Sequence, residues 1–363
     1  MPKKLKKIKT PPKARLAQKG GKKIKDEKLV MGKGLDIGTS FVECAEKKGE
    51  KIIFKRQRNA FFEIEYTDFT KRMLAKSKVK YIQKENKLYI VGDEAIKFAN
   101  MFNRDTRRPL SRGVISPSEK EALPMIGLLI KSVVGAPKYE GEIIYYSVPG
   151  EPVDADFDIV YHQNVLSEML KRLDYTPKSI NEGLAIVLSE LEEEKFTGIG
   201  LSFGGGMVNV CLSCLSVPVF TFSIAKAGDW IDQQVARAID ERATRVCAIK
   251  ESTLDLTKKE HLSKVEQALS IYYNHLIEYV ISHIKSVFEE TKKMPRIEKP
   301  ITIILSGGTA LPRGFLERFK QLLRKADFPL GVGEIKMASQ PLFSVAKGAL
   351  IAAISDEGKR KKG

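Results

Sequence analysis

The stretch Gly200-Leu-Ser-Phe-Gly-Gly-Gly206, followed by Met207-Val-Asn-Val-Cys-Leu212, is the most informative part of the sequence. An apolar run leads into glycines and a second apolar run leads out, which is typical of a β-hairpin whose turn approaches a ligand closely. Successive backbone N–H groups at such a turn form a concave site for an anion. The stretch therefore predicts a hairpin that binds phosphate at its turn.

A second stretch, Gly34-Leu-Asp-Ile-Gly38, repeats this pattern near the start of the chain. When the two are aligned, Asp36 lies opposite Ser202, so one hairpin carries a carboxylate and the other a hydroxyl. A carboxylate at such a turn can hold the water shell of a magnesium ion. We therefore expect two phosphate-binding hairpins, of which the first also organises magnesium.

Length and composition restrict the class of protein. The 363 residues, 43% of them hydrophobic, are enough for a large core and for two domains or two halves. No apolar run approaches the roughly 20 residues that cross a bilayer, and no apolar signal core follows the charged N-terminus. Together with four scattered cysteines, which predict free thiols, these features indicate a cytoplasmic protein.

The net charge of +17 is concentrated at the two ends of the chain. Residues 1–33 contain 13 Lys or Arg and two acidic residues, and the last six residues contain four more Lys or Arg. We predict a basic disordered tail at 1–33, because it cannot bury enough apolar surface to fold alone, and a basic C-terminal end at 355–363. The tail either only solubilises the chain or docks on an anionic membrane surface or nucleic acid.

Two further positions point to nucleotide chemistry. Glu182 lies in the first turn of a predicted helix, where a carboxylate stabilises the helix by about 0.3–1 kcal/mol or, alternatively, positions a water for attack on a phosphoryl group. On the residue alone, the stabilising role is favoured. The predicted strand 301–306 ends in Gly307-Gly308-Thr309 before a helix, which makes a third place for a nucleotide.

Two other interpretations of the central stretch carry less weight. Gly200-Leu-Ser-Phe-Gly204 matches the nucleophile elbow of α/β-hydrolases, but that elbow requires a following helix, whereas a strand is predicted here. Cys211 and Cys214 have the spacing of a metal or redox pair, but on a strand they point to opposite faces. Buried structural thiols are the better interpretation.

The order of these motifs carries a resemblance. Gly34-Leu-Asp-Ile-Gly-Thr39, Ile180-Asn-Glu-Gly-Leu-Ala185, Ser202-Phe-Gly-Gly-Gly206, Gly228-Asp-Trp-Ile-Asp232, Ile249-Lys-Glu251 and Leu305-Ser-Gly-Gly-Thr309 together resemble the actin, heat-shock chaperone and sugar kinase superfamily. Within it, Val91-Gly-Asp-Glu-Ala95, Arg108-Pro-Leu-Ser-Arg-Gly-Val-Ile115 and Ser147-Val-Pro149 are most similar to the bacterial actins, MreB and the magnetosome actin MamK. The resemblance covers nearly all of 34–354.

The resemblance implies an α/β actin-like ATPase fold, with two similar halves around a nucleotide cleft and small inserted subdomains. The first half would be 34–178, with a β-rich insertion at about 52–91, and the second 179–354, with a reduced insertion at about 229–262. It also implies ATP or ADP and Mg²⁺ as cofactors, and self-association into filaments. No small-molecule substrate other than ATP is expected.

Carried over residue by residue, the resemblance also implies roles in the site. Asp36 would bind magnesium through water and Glu182 would orient the attacking water. The predicted nucleotide contacts are Gly38, Thr39, Ser40, Ser202, Gly204, Gly205, Gly206, Lys250, Glu251, Gly307, Gly308 and Thr309.

Two departures from the superfamily pattern bear on function. Relatives carry Asp where Ser202 stands and a hydroxyl residue where Met207 stands, so one contact to magnesium-bound water is missing. We therefore expect a weak ATPase and a filament-forming cytoskeletal protein for cell shape, organelle positioning or DNA segregation. The alternative is a non-hydrolysing actin-like scaffold, recruited by its basic tail to nucleic acid or to the inner membrane surface.

Overall fold

The computed structural model describes residues 32–360, apart from positions 78, 80, 292–294, 296 and 298. The basic tail predicted at 1–33 therefore lies almost wholly outside the described residues, as does the end of the chain at 361–363. Within the described part, no helix is both long and apolar enough to cross a bilayer.

The described residues form fifteen strands and ten α-helices. The strands are β1 (Lys33–Ile37), β2 (Phe41–Lys48), β3 (Lys51–Arg58), β4 (Phe61–Glu65), β5 (Tyr81–Lys84), β6 (Lys87–Val91), β7 (Leu110–Ser111), β8 (Val114–Ile115), β9 (Glu142–Val148), β10 (Tyr175–Asn181), β11 (Gly198–Phe203), β12 (Val208–Cys214), β13 (Val217–Ile224), β14 (Ile301–Ser306) and β15 (Val332–Met337). The helices are α1 (Asp68–Lys76), α2 (Asp93–Met101), α3 (Ala122–Val134), α4 (Val160–Lys171), α5 (Glu182–Glu190), α6 (Gly228–Ile239), α7 (Ala243–Ser252), α8 (Lys264–Glu290), α9 (Phe315–Lys325) and α10 (Ser344–Arg360).

Two five-stranded sheets have the same design. The first has the order β10-β9-β1-β2-β3 and the second β13-β12-β11-β14-β15. In each, three consecutive strands form an antiparallel meander and two later strands add in parallel beside its first strand. Both glycine stretches are the hairpins that the sequence predicted, β1–β2 and β11–β12. The prediction of two similar α/β halves is confirmed.

The insertion in the first half begins later than the sequence suggested. β3 pairs with β2 along its whole length and so belongs to the first sheet rather than to an insertion at 52–91. The separate three-stranded sheet, β4-β6-β5, starts at Phe61 and has its own core, which includes Phe62, Leu74 and Phe98. Helix α1 lies between β4 and β5 in the chain and begins at a capping box on Thr67.

The corresponding region of the second half is helical. Residues 229–262 form most of α6, all of α7 and a loop, and their contribution to β structure is one isolated bridge between Asp255 and Arg313. The short distance along the chain before α8 leaves no room for a sheet here. The boundary of this insertion and those of the two halves stay predictions.

Helices α5 and α10 lie between the two sheets and form the centre of the molecule. Their shared core combines Ile186 and Val187 of α5, Ala349 of α10 and Ile304 of the second sheet. The two helices approach so closely that a Cβ on Gly348 would overlap the carbonyl oxygen of Ala185. This contact holds α5, and with it Glu182, in a defined position.

His162 on α4 is a buried imidazole that makes the stability of the fold depend on pH. Its Nδ1 accepts a hydrogen bond from the backbone N–H of Ile115 at 3.2 Å, and burial lowers its pKa to about 4. The unfolded chain takes up this proton near pH 6.5. The imidazole's contribution is therefore complete above about pH 6.5 and is lost as pH falls towards 4, by roughly 3 kcal/mol.

The variant His162→Asn is expected to show a smaller loss of stability between pH 7 and pH 4.5 than the unmodified protein. Urea denaturation at the two pH values measures the difference. His275→Asn is the matched control, because His275 is exposed on α8. An identical pH dependence in His162→Asn and the unmodified protein would contradict the prediction.

Candidate functional site

One cavity of about 640 Å³ lies where the two halves meet. The turns of both hairpins, the start of α5, the end of α7 and the glycine turn after β14 all line it. The structure brings all of the predicted site residues to this cavity: Asp36, Gly38, Thr39, Ser40, Glu182, Ser202, Gly204, Gly205, Gly206, Lys250, Glu251, Gly307, Gly308 and Thr309. Their individual roles stay predictions.

The glycines of the second hairpin are explained by how closely the loops approach each other. A Cβ on Gly205 would overlap the Ser40 hydroxyl, and one on Gly206 would overlap the Thr39 hydroxyl. Thr39 Oγ1 also accepts a hydrogen bond of 3.0 Å from the backbone N–H of Gly113, in the turn between β7 and β8. The three loops therefore approach each other so closely at the cavity that only glycine fits at positions 205 and 206.

Asp36 is held in place by the neighbouring parallel strand. Its Oδ1 accepts a hydrogen bond of 2.7 Å from the Ser147 hydroxyl. The Ser147 Oγ in turn accepts a hydrogen bond of 3.0 Å from the Ile37 backbone N–H. Burial nevertheless raises the pKa of Asp36 to about 6. Because burial disfavours the charged form of this cavity-lining carboxyl, a nearby cation would stabilise it in the ionised form.

Glu182 and Glu43 add to the same acidic cluster. Asn181 caps α5 by accepting the Gly183 N–H at 2.9 Å, which places Glu182 as the first helical residue. Burial and then the charge of Asp36 raise the pKa of Glu182 to about 8, against hydrogen bonds from Ser202 and Asn209. Glu43 is buried directly opposite Asp36 in the hairpin, and burial raises its pKa well above the ordinary range.

These carboxylates fit a hydrated cation better than a directly ligated one. Within the described residues, no group of three or more His, Cys, Asp or Glu side chains is arranged to hold a metal ion. Asp36 and Glu182 both line the cavity, however, and their raised pKa values mean that a nearby positive charge would stabilise the ionised forms. The residues are therefore compatible with magnesium bound through water.

Lys250, one of the predicted nucleotide contacts, lines the cavity but pairs with groups of the protein itself. Its ammonium donates to Asp232 Oδ2 at 2.7 Å and to the Gly228 carbonyl at 2.9 Å, and both charged groups are buried. A buried charge needs such a partner, so this ammonium ties α7 to the start of α6. The neighbouring Glu251 carboxylate, in contrast, is half-exposed at the cavity, and its Oε2 lies 3.5 Å from Arg58 Nη2.

Several residues at the cavity were not predicted. Asn209 lies opposite Ser202, with the same spacing of seven residues that separates Asp36 from Glu43, so the hairpin register could have revealed it. Arg108 donates twice to Asp229, at 2.9 and 3.0 Å, and joins the two halves. Arg108 begins the sequence motif that ends at Ile115, but no local sequence pattern indicates that it pairs with Asp229.

The rival interpretations of the central stretch do not fit this geometry. After a short turn beyond Gly204 the chain continues as β12, whereas a nucleophile elbow needs a helix there. Cys211 is buried and Cys214 is partly exposed, both as free thiols on that strand. The cavity is therefore best described by its glycine loops and carboxylates.

Solved structures with this fold are actin-like proteins. The MamK double helical filament has 20% identity and a TM-score of 0.69, covering 89% of this chain and 98% of its own. MreB5 of Spiroplasma citri bound to ADP has 18% identity and a TM-score of 0.62, covering 92% and 98%. The ethanolamine utilization protein EutJ from Carboxydothermus hydrogenoformans has 12% identity and a TM-score of 0.52, covering 88% and 89%.

These likenesses confirm the predicted actin-like fold. No curated protein matches the sequence. The sequence model of one family, Volactin, matches residues 31–353, which is most of the chain. The chain therefore belongs to the Volactin family and has the fold of the actin-like superfamily.

Proposed function

We propose that this protein is a prokaryotic actin-like cytoskeletal protein that binds ATP with magnesium between its two halves and polymerises into filaments. The observation that carries the proposal is the cavity at which both hairpin turns and the turn at Gly307 and Gly308 meet. Related folds support it, because one structure is a MamK double helical filament and others are a non-polymerising MamK mutant bound to AMPPNP and MreB5 bound to ADP.

In the proposed site, the phosphates lie between the turn at Gly38 to Ser40 and the turn at Gly204 to Gly206. Backbone N–H groups there donate to phosphate oxygens. Magnesium, when bound, would neutralise phosphate charge, and Asp36 would hold its water shell. Glu182 would orient the attacking water and take up its proton.

Ser202 is the reason that the proposed hydrolysis is slow. The residue is buried at the cavity, opposite Asn209 on the partner strand, and neither side chain carries a charge. The second hairpin therefore offers no second carboxylate to water around a cation. The non-hydrolysing scaffold is the second candidate function, and it rests on this same observation.

Ser202→Asp is expected to raise the rate of phosphate release from ATP in the presence of Mg²⁺, because it supplies the missing carboxylate. Ser202→Asn is the matched control, since it changes the size of the side chain in a similar way without adding charge. Phosphate release is measured under single-turnover conditions. Equal rates in the two variants would show that charge at this position does not limit hydrolysis.

Filament formation is tested by sedimentation and negative-stain electron microscopy with ATP and Mg²⁺, with ADP, and without nucleotide. We expect polymer with ATP and Mg²⁺, and much less after chelation of Mg²⁺. Monomers under all these conditions would reject the proposed function.

The same assay can test the basic tail as a docking segment for anionic membrane or nucleic acid. A chain that lacks residues 1–31 is compared with the full chain on vesicles containing anionic lipid and on duplex DNA. We expect the full chain to bind one of the two more strongly, with an effect that salt weakens. Equal binding by both chains would leave the tail a solubilising role.

A further inference from the structure

Two arginines on β3 face the cavity beside the first hairpin turn. Arg56 and Arg58 are two residues apart, so they lie on the same face of the strand. The guanidinium carbon of each lies 4.3 Å from the centroid of the Phe41 ring. Phe41 directly follows the predicted phosphate turn and is the first residue of β2. The ring therefore places two cations next to that turn.

Arg56 differs from the other cations at the cavity in how its charge is used. Among the described residues, the Arg56 guanidinium makes no hydrogen bond, and the nearest carboxylate oxygen in an ion pair is Glu43 Oε1 at 3.8 Å. The other cations around the cavity each meet a carboxylate: Arg58 with Glu251 at 3.5 Å, Arg108 with Asp229 at 2.9 Å, Lys250 with Asp232 at 2.7 Å and Arg313 with Asp255 at 3.4 Å.

The Glu43 carboxyl makes only a loose contact with Arg56. Its Oε1 lies 3.8 Å from the guanidinium, which is too far for a hydrogen bond. The Glu43 side chain is buried, whereas the Arg56 side chain is 35% exposed at the cavity. The N–H groups of Arg56 are therefore not used by this carboxyl.

Aromatic packing nevertheless holds Arg56 in place. Its guanidinium carbon lies 5.7 Å from the centroid of Phe343, and that ring stacks on Phe54 at 4.6 Å. A guanidinium that is positioned by rings keeps its N–H groups available at the edge of its plane. Such an edge matches two oxygens of a phosphate group. Arg56 is thus fixed in position without its donors being used.

We propose that Arg56, positioned by Phe41, is a phosphate-binding residue of the cavity and donates to the non-bridging oxygens of the bound nucleotide. The inference rests on the proposed nucleotide binding and adds a residue to it. It assigns to a side chain from β3 the positive charge that Lys250, which is engaged with Asp232, does not supply.

Arg56→Gln tests this assignment by calorimetric titration with ATP and with ADP, and with adenosine by competition. We expect affinity for ATP and ADP to fall about tenfold, the effect of losing a charged hydrogen bond, and affinity for adenosine to stay unchanged. Lys55→Gln is the matched control, because Lys55 lies on the opposite face of β3 and pairs with Glu46 at 2.9 Å.

Two further variants keep the test decisive. Arg56→Lys retains the charge but not the planar fork, so we expect a smaller loss of ATP affinity. Phe41→Leu removes the ring and is expected to weaken the binding of ATP more than the binding of adenosine. If Arg56→Gln loses adenosine binding as well, the fold is disturbed and Arg56→Lys decides: weaker ATP binding with unchanged adenosine binding supports the assignment, and unchanged ATP binding overturns it.

The possible failures can be told apart. If the unmodified protein binds ATP and Arg56→Gln binds it as tightly as Lys55→Gln does, the assignment of Arg56 is overturned and the proposed function stands. If the unmodified protein binds neither ATP, ADP nor adenosine, the proposed nucleotide binding fails, and the assignment of Arg56 fails with it.

Discussion

Glu182→Gln is expected to lower the rate of ATP hydrolysis by on the order of 100-fold while leaving the affinity for ATP nearly unchanged. Glutamine keeps the size of the side chain and its hydrogen bonds but cannot take up a proton. Single-turnover hydrolysis and nucleotide titration measure the two quantities separately. Glu193→Gln is the matched control, because Glu193 is exposed. The substitution removes the same charge, but away from the cavity.

The pH dependence of the rate provides a second test of Glu182. Burial raises its pKa to about 8, so below that pH the carboxyl is protonated and cannot act as a base. We expect hydrolysis by the unmodified protein to rise with pH as Glu182 loses its proton, at or below about pH 8 because bound magnesium favours the ionised form. The residual rate of Glu182→Gln should lack this rise. A variant that hydrolyses ATP at the full rate would remove Glu182 from the mechanism.

Gly348→Ala is expected to destabilise the protein by about 3 kcal/mol or more. The added methyl group would overlap the backbone carbonyl of Ala185, and neither backbone can move without separating α10 from α5. Since Glu182 begins α5, nucleotide binding should weaken together with stability. Urea denaturation followed by circular dichroism measures the effect.

Gly358→Ala is the control for this substitution, because it lies on the same helix and a Cβ there meets no atom within 4 Å. Alanine is the better helix former, so this variant should match the unmodified protein or exceed its stability by up to about 1 kcal/mol. Equal midpoints for Gly348→Ala and the unmodified protein would show that the two helices can separate without cost.

The features that could be predicted from sequence are those encoded over a few neighbouring residues. The two glycine hairpins, the cap of α5 at Asn181 and the turn at Gly307 each follow from a local pattern of apolar, capping and glycine residues. Because these motifs recur in a characteristic order, they also predicted the actin-like fold with two similar halves.

Pairings between distant residues could not be predicted in this way. β3 has an ordinary strand pattern, and only its hydrogen bonds to β2 assign it to the first sheet instead of the insertion. The chain contains 62 Lys and Arg, and no sequence pattern indicates which carboxylate pairs with Lys250. Its ammonium contacts Asp232 because α7 packs on α6. Which charges are balanced is a property of the packed structure.

The same division explains the candidate site. The sequence alone predicted that the glycine turns and the carboxylates Asp36 and Glu182 belong to one site, and the structure places them all at the cavity. Glycines and acidic residues in a local pattern are enough for that prediction. Only the tertiary structure decided that Arg56 has unused donors beside Phe41, since strand register and side-chain packing place those two residues together. Burial likewise raised the pKa of Glu182, because desolvation depends on surroundings that distant parts of the chain supply.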